Sequence, residues 1–172
     1  NFLKKKGESF FGEYSLNKLE KVDGGFCYTE KYGDTYTFNE DGLCIEWNCK
    51  GEGKLVFSYH DKKLEYVKRD NDNAYFELLY NELGQLSELR DNGGRKVFYE
   101  YDINGKLTKV HNSMGEEYHY IYDENGRLAS LSDGNGREKV YNIYDEQGRT
   151  KEQRLADGGT ILFDYDDEKG SV

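Results

Sequence analysis

One seven-residue phrase, Tyr122-Asp123-Glu124-Asn125-Gly126-Arg127-Leu128, limits what this chain can fold into, because it recurs with decay along most of the sequence. It stands upstream as Tyr101-Asp102-Ile103-Asn104-Gly105-Lys106-Leu107 and downstream as Tyr144-Asp145-Glu146-Gln147-Gly148-Arg149-Thr150. The leading aromatic falls at Phe38, Tyr59, Tyr80, Tyr101, Tyr122, Tyr144 and Tyr165, at steps of 21, 21, 21, 21, 22 and 21 residues. The turn glycine recurs as Gly42, Gly84, Gly105, Gly126 and Gly148, and the leucine after it as Leu86, Leu107 and Leu128. A fixed period of this size marks a repeat array. A looser unit starts at Tyr14 and brings the number of units to eight.

Each unit carries two strand signals. Residues four and two before the key aromatic are mostly apolar, as in Val97 and Tyr99 or Tyr118 and Tyr120, and polar residues such as Glu100 and His119 interleave them. That alternation is the period of a strand with one buried face. Asn-Gly or Asp-Gly then follows, at Asn104-Gly105, Asn125-Gly126 and Asp41-Gly42, which predicts a hairpin closed by a type I′ turn. The units at Tyr14 and Tyr59 lack the turn glycine and are one residue shorter there.

On the return strand the apolar residues stand six and nine after the key aromatic, as in Leu107 and Val110 or Leu128 and Leu131. A spacing of three breaks alternation and predicts a β-bulge. The strand runs into a second polar turn, seen at Asp91-Asn92-Gly93-Gly94, Asp133-Gly134-Asn135-Gly136 and Asp157-Gly158-Gly159. No room is left for a helix. The expected fold is all-β, a continuous antiparallel meander of about eight 21-residue hairpins, roughly sixteen strands, forming a twisted, curling strip. Residues 1–37 form a divergent N-terminal repeat or cap, 38–165 the regular repeats and 166–172 the end of a single array.

Composition says what can hold such a strip together. Only 35% of the residues are hydrophobic and 34% are charged, but 16 Tyr and 9 Phe supply apolar area suited to half-exposed sheet faces. The net charge of −10 repels phosphate backbones and anionic bilayers, so nucleic acid and membrane surfaces are not expected partners. No apolar run approaches the ~20 residues of a membrane span. A chain beginning at Asn1 rather than Met fits a processed protein or an excised segment, so the missing signal peptide says little about destination.

With Tyr-Asp-x-x-Gly-(Lys/Arg)-Leu recurring from about Tyr14 to Tyr165, most clearly between Tyr80 and Gly148, the chain resembles the YD-repeat or RHS-repeat family. The resemblance implies hairpins joined into a spiralling β-shell in large bacterial secreted or surface-associated proteins, among them toxins, with teneurins as relatives. It implies as partner the rest of a parent polypeptide or an enclosed toxin domain. The chain contains no proline, so the family's Asp-Pro self-cleavage motif is absent, as is a toxin domain. What the resemblance transfers is the wall.

The expected role is therefore a non-catalytic structural module, shell or stalk, outside the cell or on its surface. The alternative is an adhesion module that takes glycan or protein on a tyrosine-rich face including Trp47. No nucleophile motif, phosphate loop or His-Glu-x-x-His occurs, and no cofactor is expected. Asp102, Asp123 and Asp145 recur at one repeat position and are weak candidates for a cation ladder. The competing role for them is to bond the backbone of their own turn.

Lys106, Arg127 and Arg149 are expected to pair with acids across the sheet. Cys44 stands where other repeats place leucine, as a small buried hydrophobe, and the odd count with Cys27 and Cys49 argues against a disulfide framework. The tyrosines of the apolar face, Tyr99, Tyr118 and Tyr120 among them, are expected to form the core of a thin sheet. Lys4 to Lys6 and Asp166 to Lys169 could blunt the two open edges, leaving a monomer or an edge-paired dimer.

Overall fold

The computed structural model of the chain describes residues 16–166 in full and the backbone of residues 3–6 and 9–12. The expectations for Tyr14, for the side chains of Lys4, Lys5 and Lys6, and for Asp167, Glu168 and Lys169 concern residues outside those described. Among the described residues there are seventeen β-strands and no helix. They fall into two compact units, residues 1–79 with 89–94 and residues 80–88 with 95–172.

In the first unit the strands are β1 (Leu3–Lys6), β2 (Ser9–Gly12), β3 (Lys18–Val22), β4 (Gly25–Thr29), β5 (Thr35–Asn39), β6 (Cys44–Cys49), β7 (Gly53–His60), β8 (Lys63–Arg69) and β9 (Tyr75–Tyr80). Each pairs antiparallel with the next. After β10 (Leu86–Asp91), the second unit runs through β11 (Lys96–Tyr101), β12 (Leu107–Asn112), β13 (Glu117–Tyr122), β14 (Leu128–Asp133), β15 (Glu138–Tyr144), β16 (Thr150–Leu155) and β17 (Thr160–Leu162). From β11 onward neighbours again pair antiparallel, as an all-β meander requires.

The bulge read from the three-residue spacing is present in the hairpins β5–β6, β7–β8, β11–β12, β13–β14 and β15–β16. Tyr99 faces Val110 and Glu100 faces Lys109, but Tyr101 faces Leu107, so Thr108 is the extra residue. The same step occurs between Ile121 and Tyr122, between Ile143 and Tyr144, between Thr37 and Phe38 and between Ser58 and Tyr59. One inserted residue returns Leu107 and Val110 to the face that carries Tyr101 and Tyr99.

The turn differs from the type I′ expected. Gly105 N–H donates to the Asp102 carbonyl at 3.0 Å and Asp102 N–H to the Lys106 carbonyl at 2.9 Å. Only the glycine has positive φ, at 82°, whereas type I′ needs two such residues. This is the three-residue loop that ends in a left-handed glycine and feeds a bulge. Its lead residue is Asp or Asn: Asp102 Oδ1 accepts the N–H groups of Asn104 and Lys106, both at 2.9 Å. Asp123, Asp145, Asn81, Asn112 and Asp133 do the same in their turns. The type I′ geometry occurs where glycine is missing: Asp61 and Lys62, at φ 48° and 63°, join His60 to Lys63 in the shorter repeat.

The expectation of one buried face is also corrected. Among the described residues no hydrophobic side chain is buried, and Tyr118 and Ile121, on opposite faces of β13, are 43% and 57% exposed. Alternation does sort the faces, with Tyr, Leu and Val on one and a charged row on the other. On the charged face Lys109 Nζ lies 2.9 Å from Glu117, and His111 Nε2 lies 3.2 Å from Glu100. Tyr99, Tyr118 and Tyr120 are thus a half-exposed layer instead of a core, because the described strands of their unit pack only against their neighbours within the sheet. Cys44 is likewise half-buried, and all three cysteines are free.

Candidate functional site

The repeat-defining residues converge on the turn edge of the sheet, where each unit grips the one before it. Between β12 and β13 the ladder reaches only as far as Lys109 and His119, although β13 continues to Tyr122. Past that end the Tyr122 hydroxyl donates to the Leu107 carbonyl at 2.9 Å. The tie repeats from Tyr59 to Cys44 at 2.7 Å, Tyr101 to Leu86 at 2.8 Å, Tyr144 to Leu128 at 2.7 Å and Tyr165 to Thr150 at 2.8 Å. Phe38 has no hydroxyl to do this. Burial raises the phenol pKa of Tyr59, Tyr101 and Tyr122, which keeps them protonated as donors.

The cation after the turn glycine completes the joint. Arg127 Cζ lies 4.4 Å from the ring centre of Tyr144 and Arg149 Cζ 4.3 Å from that of Tyr165, while Lys106 Nζ is 5.2 Å from that of Tyr122. These are cation–π distances. Each cation therefore covers the key ring of the following repeat. A Cβ at Gly126 would stand 2.5 Å from Lys106 Nζ, and one at Gly148 would stand 3.3 Å from Arg127 Nη1. The turn glycine is thus needed for its left-handed φ, while the tip of the preceding cation rests over it and could shift to admit a Cβ.

Arg127 does not reach across the sheet for an acid. Its Nε and Nη2 both lie 2.7 Å from Oδ2 of Asp123 in its own turn, and Arg149 Nε lies 2.8 Å from Oδ2 of Asp145. Asp123 thereby accepts two main-chain N–H groups on one oxygen and a guanidinium on the other. Among the described residues no three His, Cys, Asp or Glu side chains gather as a metal site would. Elsewhere, Trp47 stacks on Tyr36 at 5.8 Å between ring centres, so their faces cover each other.

Burial pulls the Asp123 carboxyl upward, but the main-chain N–H and guanidinium of Arg127 outweigh it and hold the pKa below the ordinary carboxylate value. Asp145 is balanced the same way against Arg149. A carboxylate whose folded pKa is depressed adds stability above its unfolded value, about 3.9. That stability is lost as the pH falls through the folded value. Thermal midpoints are therefore expected to drop below about pH 4. The double substitution Asp123→Asn, Asp145→Asn should make that drop shallower while keeping the turns, since Asn81 already accepts the equivalent N–H groups. An acid limb equally steep in the double variant would contradict the assignment.

The sequence pattern names the residues of this joint but not their partners. The signal lies in the spacing from each cation to the next key aromatic, Lys106 to Tyr122, Arg127 to Tyr144 and Arg149 to Tyr165, which crosses a repeat boundary.

The RHS Repeat family model matches residues 80–113 and 104–138, which contain the turns at Asp102 and Asp123. No curated protein matches the sequence. Among solved structures, the chain is similar to one in the Photorhabdus luminescens Tc holotoxin pore carrying a TccC3 mutation. That match has 16% identity and a TM-score of 0.55, and covers 80% of this chain and 9% of that one. The crystal structure of TcdB2-TccC3-TEV matches with 16% identity, a TM-score of 0.54 and the same coverage. That of TcdB2-TccC3-Cdc42 matches with 14% identity and a TM-score of 0.55 over 82% of this chain and 9% of that one. At such identities the likeness is one of fold, and the chain spans only 9% of the length of these neighbours. Two overlapping matches to one repeat model, on the residues whose turns and cross-repeat ties have just been described, identify residues 80–138 of this chain as RHS repeats.

Proposed function

We propose that the chain is a non-catalytic wall segment, part of a shell or stalk in a larger secreted or surface-associated bacterial protein of toxin type. The observation that carries this reading is that the recurring polar chemistry of the phrase is taken up in turns and joints. The key Tyr of a unit ties to the unit before it, its Asp holds its own turn and the cation, and its Arg covers the key ring of the unit after it. The half-exposed Tyr, Leu and Val face fits a wall that is covered by other protein, either the rest of a parent chain or an enclosed toxin domain.

Joints of this kind depend on nearest neighbours only, so the array should accept another unit. Inserting a second copy of residues 122–143 between Ile143 and Tyr144 is expected to give a folded β-protein with an equal or higher melting temperature. Loss of the β-sheet circular dichroism signal on insertion would contradict a modular wall.

A further inference from the structure

The chain has four Asn-Gly pairs, at Asn92-Gly93, Asn104-Gly105, Asn125-Gly126 and Asn135-Gly136. Such pairs can cyclise, because glycine lacks the Cβ that would shield its nitrogen from the neighbouring side-chain amide. The rate depends on what accepts the glycine N–H proton and on what supports the amide oxygen as charge develops on it. In these respects one pair differs from the other three.

At Asn104, Asn125 and Asn135 the glycine N–H donates to the main-chain carbonyl of Asp102, Asp123 or Asp133, at 3.0, 2.9 and 2.9 Å. A neutral amide carbonyl is a poor proton acceptor, and the bond locks the glycine nitrogen into the turn. At Asn92 the frame is shifted by one residue. Gly94 takes the left-handed position, at φ 84°, and donates to the Asp91 carbonyl at 3.2 Å. Gly93 N–H is released from that duty and donates to the carboxylate Oδ1 of Asp91 at 2.9 Å. On the other side, Asn92 Oδ1 accepts the Tyr75 N–H, a long bond at 3.5 Å. A carboxylate thus sits on the nucleophilic nitrogen and a donor sits on the electrophile's oxygen.

We propose that Asn92-Gly93 is a self-modification site, with Asp91 as the proton acceptor. The Gly93 nitrogen attacks Asn92 Cγ, and a new N–Cγ bond forms as the Cγ–Nδ2 bond breaks. The proton lost by Gly93 passes through Asp91 to Nδ2, which leaves as ammonia. Water then opens the succinimide at either carbonyl to give aspartate or isoaspartate. The isoaspartate form adds a backbone carbon and a negative charge to the turn between β10 and β11.

Incubation of the purified chain at neutral pH, followed by peptide mapping, tests this directly. The Asn92 peptide is expected to convert at least about ten-fold faster than those containing Asn104, Asn125 and Asn135. Asp91→Asn keeps an oxygen acceptor for Gly93 but removes the base, and should slow Asn92 about ten-fold while leaving the other three unchanged. Equal rates at all four sites in the unaltered protein, or an Asn92 rate insensitive to Asp91→Asn, would overturn the proposal.

Discussion

Tyr122→Ala is expected to destabilise the second unit by about 2–3 kcal/mol, measured as the shift in urea-unfolding free energy. The substitution removes a half-buried ring, the cover over which Lys106 lies, and the donor to the Leu107 carbonyl. That carbonyl lies beyond the end of the β12–β13 ladder, so its hydrogen bond has no strand partner to fall back on. Tyr122→Phe isolates the hydroxyl and should cost about 1 kcal/mol. Tyr144→Phe should cost less, because Asn142 Nδ2 also donates to the Leu128 carbonyl, at 3.0 Å. Equal costs for the two Phe variants would show that the carbonyl ties do not set the stability of the joint.

Gly25→Ala should have a comparable effect in the first unit for a different reason. Gly25 is buried in β4, paired with Val22 on one side and Asn39 on the other. A Cβ there would stand 1.9 Å from the Phe38 carbonyl oxygen and 2.8 Å from the Asn39 carbonyl carbon. These are main-chain atoms of the β5 ladder and cannot swing aside, so the strands must part. A loss of about 3 kcal/mol is expected. Gly24→Ala is the control: its φ is 76° with nothing within 4 Å of the added carbon, and only the strain of a left-handed alanine, about 1 kcal/mol, should appear. If the two variants melt together, the close approach of β5 is not what requires glycine at position 25.

Where periodicity alone decides the structure, the sequence was sufficient. The step from Tyr101 to Tyr122 defines the repeat, and the spacing from Leu107 to Val110 announces the bulge that the register then shows at Thr108. Turn type was not legible from Asn104-Gly105, because that dipeptide suits both a two-residue primed turn and the left-handed end of a three-residue loop. Asp102 decides between them by holding two N–H groups, and the bulge absorbs the extra residue. The partner of Arg127 was hidden for a related reason. Cross-sheet pairing and pairing within a turn use the same residue types, and only the fold brings Tyr144 beneath the guanidinium. Alternation in Tyr118-His119-Tyr120 shows which side chains share a face but cannot show whether anything covers that face.

That successive repeats are coupled through the cation of one unit and the key tyrosine of the next is tested most directly by a double-mutant cycle on Arg127 and Tyr144. Arg127→Ala, Tyr144→Leu and the combined variant would be compared by urea unfolding. A stacked pair at 4.4 Å should give a coupling of about 1 kcal/mol. Strict additivity, with a coupling below about 0.3 kcal/mol, would mean that the two side chains only lie near each other and that the repeats are joined by the strand ladder alone.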